Sequence, residues 1–271
     1  MAHLRPRALE NQTVHLSELE VTPAPRGIQR RRDYFGNDSD VVEVLDTHDC
    51  LQVTCRSVVT VQPPPLIDVE PSQSPSWQVV ASQLRDDPRY LREREFAFDS
   101  PLVRAHPSLR EYAERVFVAG KPVVEAILEL NRLIFGEFKY EPAATDVSTP
   151  LGRVLRERRG VCQDFAHVAI GCLRSVGLAG RYVSGYMETI PPPGKPKLIG
   201  ADASHAWPAV FIPELGWLDF DPTNGILPSD RHIWVGWGRD FSDVSPLRGV
   251  VVGGGRHSLT VGVDVELREA A

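Results

Sequence analysis

The sequence predicts an α+β protein: a β-rich N-terminal unit, then a core whose helices precede an antiparallel sheet. Three observations carry this. Residues 1–61 hold β-rich runs broken by turn residues. A proline-rich stretch, from Pro63-Pro64-Pro65 to Pro71-Ser72-Gln73-Ser74-Pro75, reads as a linker. Beyond it the apolar residues recur every three or four positions, and after Gly177 every two. The expected division is a β domain over 1–70 and a core over 76–271.

In the first unit, Val14 to Val21, Val41 to Leu45 and Leu51 to Val61 read as strands, with a turn at Phe35-Gly36-Asn37-Asp38. Arg26, Arg30, Arg31 and Arg32 read as a solvated loop. The helical block follows. Ser108 is placed to cap a helix carrying Leu109, Tyr112 and Ala113, and Pro122 to open one with Val123, Ile127 and Leu130. Thr149-Pro150 fits an N-cap followed by proline at the first helical position, with Leu151, Val154 and Leu155 buried. Strands are expected over 181–187, 205–212 and 217–221. Near the C-terminus Leu259, Val261, Val263, Val265 and Leu267 alternate with polar residues and glycine, the pattern of a half-buried strand. The loop Pro191 to Lys197 reads as a surface tip.

The chemistry-bearing stretch is Gly160-Val161-Cys162-Gln163-Asp164-Phe165, leading to Gly177. Phe165, Val168, Ala169, Cys172, Leu173 and Val176 fall on one helical stripe, and Gly177 suits a left-handed C-terminal residue. Cys162 therefore lies at the helix N-terminus, where free N–H groups and the helix dipole favour the thiolate, the reactive form. Cys172, on the stripe, is a small core residue. His167 lies off the stripe and reads as a surface residue. Cys50 and Cys55 read as structural.

Two β-rich runs around Pro213-Glu214-Leu215-Gly216 form a hairpin. Alternation puts His205 and Trp207 on one face of the first strand. It puts Trp217, Asp219 and Asp221 on one face of the second. A thiol, an imidazole and an orienting carboxylate are the parts of an acyl-transfer site. Spacing leaves Asp219 a rival to Asp221. Trp207 and Trp217 suit a shield for the His–Asp hydrogen bond. Asp164 suits the dipole, Gln163 an oxyanion contact with the Cys162 N–H, and Asn224 a turn-holding amide.

These residues resemble a known family. GVCQDFAH, RYVSGY from Arg181 to Tyr186, ASHAW and FDPTNG are similar to the signatures of bacterial transglutaminase-like cysteine proteins of the papain-like superfamily. Tyr140, Thr145, Thr149, the run from His232 to Phe241 and Asp33 to Asn37 extend the likeness. The resemblance implies a papain-like transglutaminase core with an N-terminal β-sandwich-like domain, and a triad of Cys162, His205 and Asp221. It implies attack on a peptide or protein amide, with water the expected acceptor. Alternatives are a protein-glutamine transglutaminase using an amine, or a non-catalytic interaction module, which the complete triad argues against. Relatives usually carry an extra strand before the Leu4-Arg5-Pro6-Arg7 segment, so the N-terminal unit is expected to be short of its first strand. Either strand 258–267 then covers the bare edge, or the edge pairs across a homodimer.

Composition excludes other classes. Of 271 residues, 42% are apolar and 24% charged, and the formal charge is −6. No basic run suits nucleic acid, and no apolar run suits a membrane span. The N-terminus lacks the apolar core of a signal peptide, and four cysteines give no disulfide framework, so a reducing cytoplasm is expected. No calcium loop is visible, and a zinc site from Cys162, His205 and an acid lacks a short-spaced pair. No metal and no cofactor are expected.

Overall fold

The computed structural model describes residues 1–63, 70–189, 203–253 and 255–267. Parts of the linker and the whole Pro191–Lys197 tip lie outside these. The first unit has four strands: β1 (Gln12–Thr22), β2 (Gly27–Arg32), β3 (Asp38–Glu43) and β4 (Gln52–Val61). They form two antiparallel ribbons, β1 with β4 and β2 with β3. The arginine-rich stretch is thus a strand, not a loop. Every one of its positions is exposed, so its side chains carry no burial pattern from which a strand is readable.

Five main helices follow: α1 (Trp77–Asp86), α2 (Pro107–Ala113), α3 (Val123–Glu137), α4 (Leu151–Glu157) and α5 (Cys162–Ser175). Two caps differ from expectation by a residue or two. His106, not Ser108, caps α2, its Nδ1 accepting the Ser108 N–H at 3.3 Å. Pro150 sits at the α4 N-cap, while the Thr149 hydroxyl accepts the Asp146 N–H at 2.9 Å. The competing turn at 146–149 takes the hydroxyl that the helix would have used.

The core sheet is antiparallel throughout, in the order β8 (His232–Gly238), β5 (Gly180–Met187), β6 (Ala203–Ile212), β7 (Gly216–Asp219). The period of two divides β6. Ala206, Val210 and Ile212 join the main core with Phe165, Ile170 and Leu173 of α5. Trp207 and Ala209 join a second cluster with Val183 and Trp234, against which Leu9 and Val61 of the N-terminal unit pack. Ile170 and Leu173 are fully buried, and each such side chain stabilises the fold by about 1.5–3 kcal/mol. Gly177 closes α5 at φ +82°, as the sequence predicts.

Helix α5 is buried on every side from Asp164 to Leu173, not along one stripe. His167 is consequently internal: it packs on Tyr182 at 5.1 Å and its Nε2 accepts the Phe241 N–H at 3.2 Å. Burial pushes its pKa down to about 4, which keeps the ring a neutral acceptor. The surface reading fails because sequence periodicity shows one packed stripe, while His167 packs on another face of the helix, against Tyr182 of β5 and Phe241.

The alternating segment 258–267 forms no strand. Val263 alone has a bridge, and Leu259, Val261 and Leu267 are exposed. Alternation supplies two faces but no ladder partner. The segment therefore does not supply the strand expected to cover the N-terminal edge. Instead Ala2 exchanges both backbone hydrogen bonds with Asp40 of β3, at 2.8 and 2.9 Å, and also bridges Leu247.

Two buried amides tie the units together along the outer edge of β8. Gln12 donates to the Trp234 carbonyl at 2.7 Å and accepts the Trp234 N–H at 2.9 Å. Asn37 does the same for Trp237, at 2.7 and 3.0 Å. A strand edge that would otherwise lie buried and unpaired is thereby satisfied by side chains.

Candidate active site

Cys162 is the first residue of α5, and Val161, with extended backbone, is its N-cap. Valine offers no acceptor, so the first-turn N–H groups have no side-chain cap from that residue. Asp164, in the third helical position, reaches back. Its Oδ2 accepts the Val161 N–H at 2.8 Å and the Thr145 hydroxyl at 2.6 Å. Its burial raises the pKa, against the pull of these two bonds. Asp164 therefore orders the approach to Cys162. Gln163 is half-buried beside it.

His205 comes from β6, where it pairs with Gly185 of β5. A side chain at Gly185 would place its Cβ 2.2 Å from the Ile233 carbonyl and 2.5 Å from the Trp207 ring. Only glycine lets β8 and Trp207 close so tightly beside His205. Trp207 is fully buried, with ring centroids 5.8 Å from His205 and 5.5 Å from Trp234.

Asp221 follows β7 and is fully buried. Its Oδ2 lies 2.8 Å from His205 Nε2 and accepts the Asn224 amide at 2.7 Å. Its Oδ1 accepts the backbone N–H groups of Thr223 at 3.0 Å and Asn224 at 3.3 Å, an Asx turn that clamps the carboxylate. Burial works against the charge, but the hydrogen bonds from His205, His232 and the Asn224 amide hold the carboxyl well below its ordinary range. The neighbouring Cys162 also favours the charged form of His205. Burial of the ring disfavours the imidazolium, yet the hydrogen bond to Asp221 and the neighbouring Cys162 prevail and hold the pKa at about 10. His205 and Asp221 are thus hydrogen-bonded, with Cys162 beside the imidazole.

Asp219 is not part of that group. Its Oδ1 accepts the indole N–H groups of Trp207 at 2.9 Å and Trp234 at 3.3 Å, and its Oδ2 faces Arg181 at 3.9 Å. Trp217 lies apart as well, packed on Phe96 and Phe211 under the Arg181 guanidinium. Of the four cysteines, all free, Cys172 is buried and its thiol is pushed up by that burial.

One group at the site was not selected from sequence. His232, the first residue of β8, is fully buried and lies 3.2 Å through Nε2 from the same Asp221 Oδ2. The aromatic, β-branched run after it was a usable strand signal. The His205, Asp221 and His232 ligand atoms lie within 4.8 Å of one another, a set of the type that holds a divalent metal. Here each of them is already engaged in a hydrogen bond, with two imidazoles sharing one carboxylate oxygen. The arrangement fits a hydrogen-bonded relay better than a coordination sphere.

Residues 110–222 match the model of the transglutaminase-like superfamily, and residues 1–60 that of the bacterial transglutaminase-like N-terminal region. An uncharacterized protein of Mycobacterium bovis is 41% identical over 269 residues, covering 97% of this chain and 84% of that one. The chain belongs to the transglutaminase-like superfamily. A more distant likeness, 29% over 157 residues, joins it to a protein-glutamine gamma-glutamyltransferase of Pseudomonas aeruginosa, across 56% of this chain and 23% of the other. A proposed cysteine protease of Cytophaga hutchinsonii shares the fold at TM-score 0.65, with 20% identity, covering 90% of this chain and 77% of its own. The superfamily match takes in Cys162, His205 and Asp221 and stops at Pro222, short of Asn224 and His232.

Proposed function

We propose that this transglutaminase-like protein is a thiol-dependent acyl-transfer enzyme that cleaves an amide or peptide bond. One observation carries the reading: His205 is hydrogen-bonded to the buried Asp221 and neighbours Cys162, which stands at a helix N-terminus. The sulfur attacks the carbonyl carbon, and the developing oxyanion meets the free N–H groups of the first turn of α5. His205 gives its proton to the departing amine, leaving a thioester on Cys162. Water then adds, His205 takes its proton, the C–S bond breaks and the carboxylic acid leaves. Asp221 keeps the imidazole in one tautomer throughout.

Water is the favoured acceptor because Cys162 is only partly buried among the described residues, so the thioester is open to solvent. A second reading, with an amine as acceptor, is favoured by the likeness to the gamma-glutamyltransferase. The test is incubation with a peptide library and with glutamine-rich protein, with and without a primary amine, comparing the parent with Cys162→Ala. Peptide fragments or free acid support hydrolysis, and amine incorporation supports transfer. Activity that survives Cys162→Ala, or none in any arm, would remove the proposal.

A further inference from the structure

We infer that His232 is a positioning residue that holds the Asp221 carboxylate for His205; this rests on the reading of Cys162, His205 and Asp221 as the catalytic chain. His232 has no exposed surface, so it does not meet substrate and can act only through a neighbour. A buried imidazole must have both ring nitrogens accounted for. Here Nδ1 accepts the Ser229 N–H at 3.2 Å. That bond occupies the Nδ1 lone pair, so the ring is neutral and its proton sits on Nε2. Among the described residues, the acceptor that Nε2–H then meets is Asp221 Oδ2 at 3.2 Å. The backbone of the Ser229–His232 turn, closed by the His232 N–H to the Ser229 carbonyl at 3.0 Å, thus dictates the tautomer.

The same oxygen takes the His205 Nε2 at 2.8 Å. A carboxylate orients an imidazole only if it is itself prevented from turning. The two Oδ1 contacts hold one oxygen, while His232 and Asn224 hold the other from β8 and from the turn. Trp207 locks the arrangement, meeting the His232 ring edge-on at 5.2 Å while packing on His205. The titratable groups facing the His232 proton are Asp221 and, through its oxygen, His205; Cys162 lies beyond His205.

Three substitutions separate this role from mere packing. His232→Gln keeps a donor near the Nε2 position. His232→Asn keeps an acceptor near Nδ1 for Ser229 but does not reach Asp221. His232→Leu keeps neither. The readout is the rate of Cys162 alkylation by iodoacetamide at about pH 6, where an isolated thiol is almost wholly protonated, with peptide mapping and a thermal melt of each full-length variant. Selective labelling of Cys162 in the parent is the first requirement; its absence would count against the nucleophile itself, not His232. Given that, His232→Asn and His232→Leu are expected to slow labelling about 10- to 100-fold, the scale of one hydrogen bond to a charged group. His232→Gln should stay within a few-fold of the parent. Equal rates in all folded variants overturn the inference, as does a His232→Asn protein faster than His232→Gln. If His232→Leu does not fold, the Gln and Asn pair still decides.

Discussion

Asp219 and Asp221 stand two residues apart, yet they serve different partners: Asp221 holds the His205 imidazole at 2.8 Å, and Asp219 holds the Trp207 indole at 2.9 Å. The two carboxylates therefore fix adjacent rings of one stack, since Trp207 packs on His205. The expected division of labour is chemistry for one and scaffolding for the other.

Substitution tests that division. Asp221→Asn should lower Cys162 labelling and turnover by about 100-fold or more, because a neutral amide neither stabilises the imidazolium nor fixes its tautomer as the carboxylate does. Asp219→Asn should lower them less. It should instead cost about 1–3 kcal/mol of stability, since it disturbs the acceptor of two indole N–H groups. Chemical unfolding and labelling rates on the same samples decide it. Greater loss of labelling in Asp219→Asn would mean that Asp219 is the acid that matters.

The pKa of His205 gives a pH window. It is raised in the folded chain to about 10, against about 6.5 for a free imidazole. The folded state thus binds the extra proton between these values, so its contribution to stability is complete below about pH 6.5 and falls as pH rises towards about 10. Melting temperature should decline over that range, and His205→Gln should flatten the decline. A parent and variant with parallel profiles would contradict the ion-paired resting state.

Gly185 should tolerate no side chain. Gly185→Ala would press a methyl group onto the Ile233 carbonyl and the Trp207 ring, neither of which has room to move. A cost of about 1–3 kcal/mol or more and loss of Cys162 labelling are expected. Gly27→Ala, where nothing lies within 4 Å, is the control and should melt with the parent.

The N-terminal unit should stabilise the core through Gln12. Gln12→Leu leaves the Trp234 N–H without a partner at a buried edge, while the Trp234 carbonyl keeps the Arg7 N–H at 2.9 Å. The expected loss is about 1–3 kcal/mol, the cost of one buried unsatisfied donor. A variant that unfolds with the parent in urea would show that the edge is satisfied in another way.

Local pattern was enough for much of this molecule. The stripe from Phe165 to Val176, with Gly177 after it, located α5 and put Cys162 at its start, because helix period and termination are set by residues a few positions apart. The Pro213–Gly216 turn made one hairpin of the His205 and Asp221 strands for the same reason. Spacing of two could not separate Asp219 from Asp221, since both lie on one face. Only the docking of Trp207 and Trp234 against Asp219 left Asp221 to His205. His167 was misread because helix periodicity records one packed face and not a second. The 258–267 alternation lacked a ladder in space, while β2, with no burial pattern at all, acquired one from β3. His232, eleven positions from Asp221, reaches its carboxylate because β8 is bonded to β5 and not to the neighbouring hairpin strand. Such contacts depend on the order of strands in the sheet, which is a balance of packing over the whole chain and has no short-range signature.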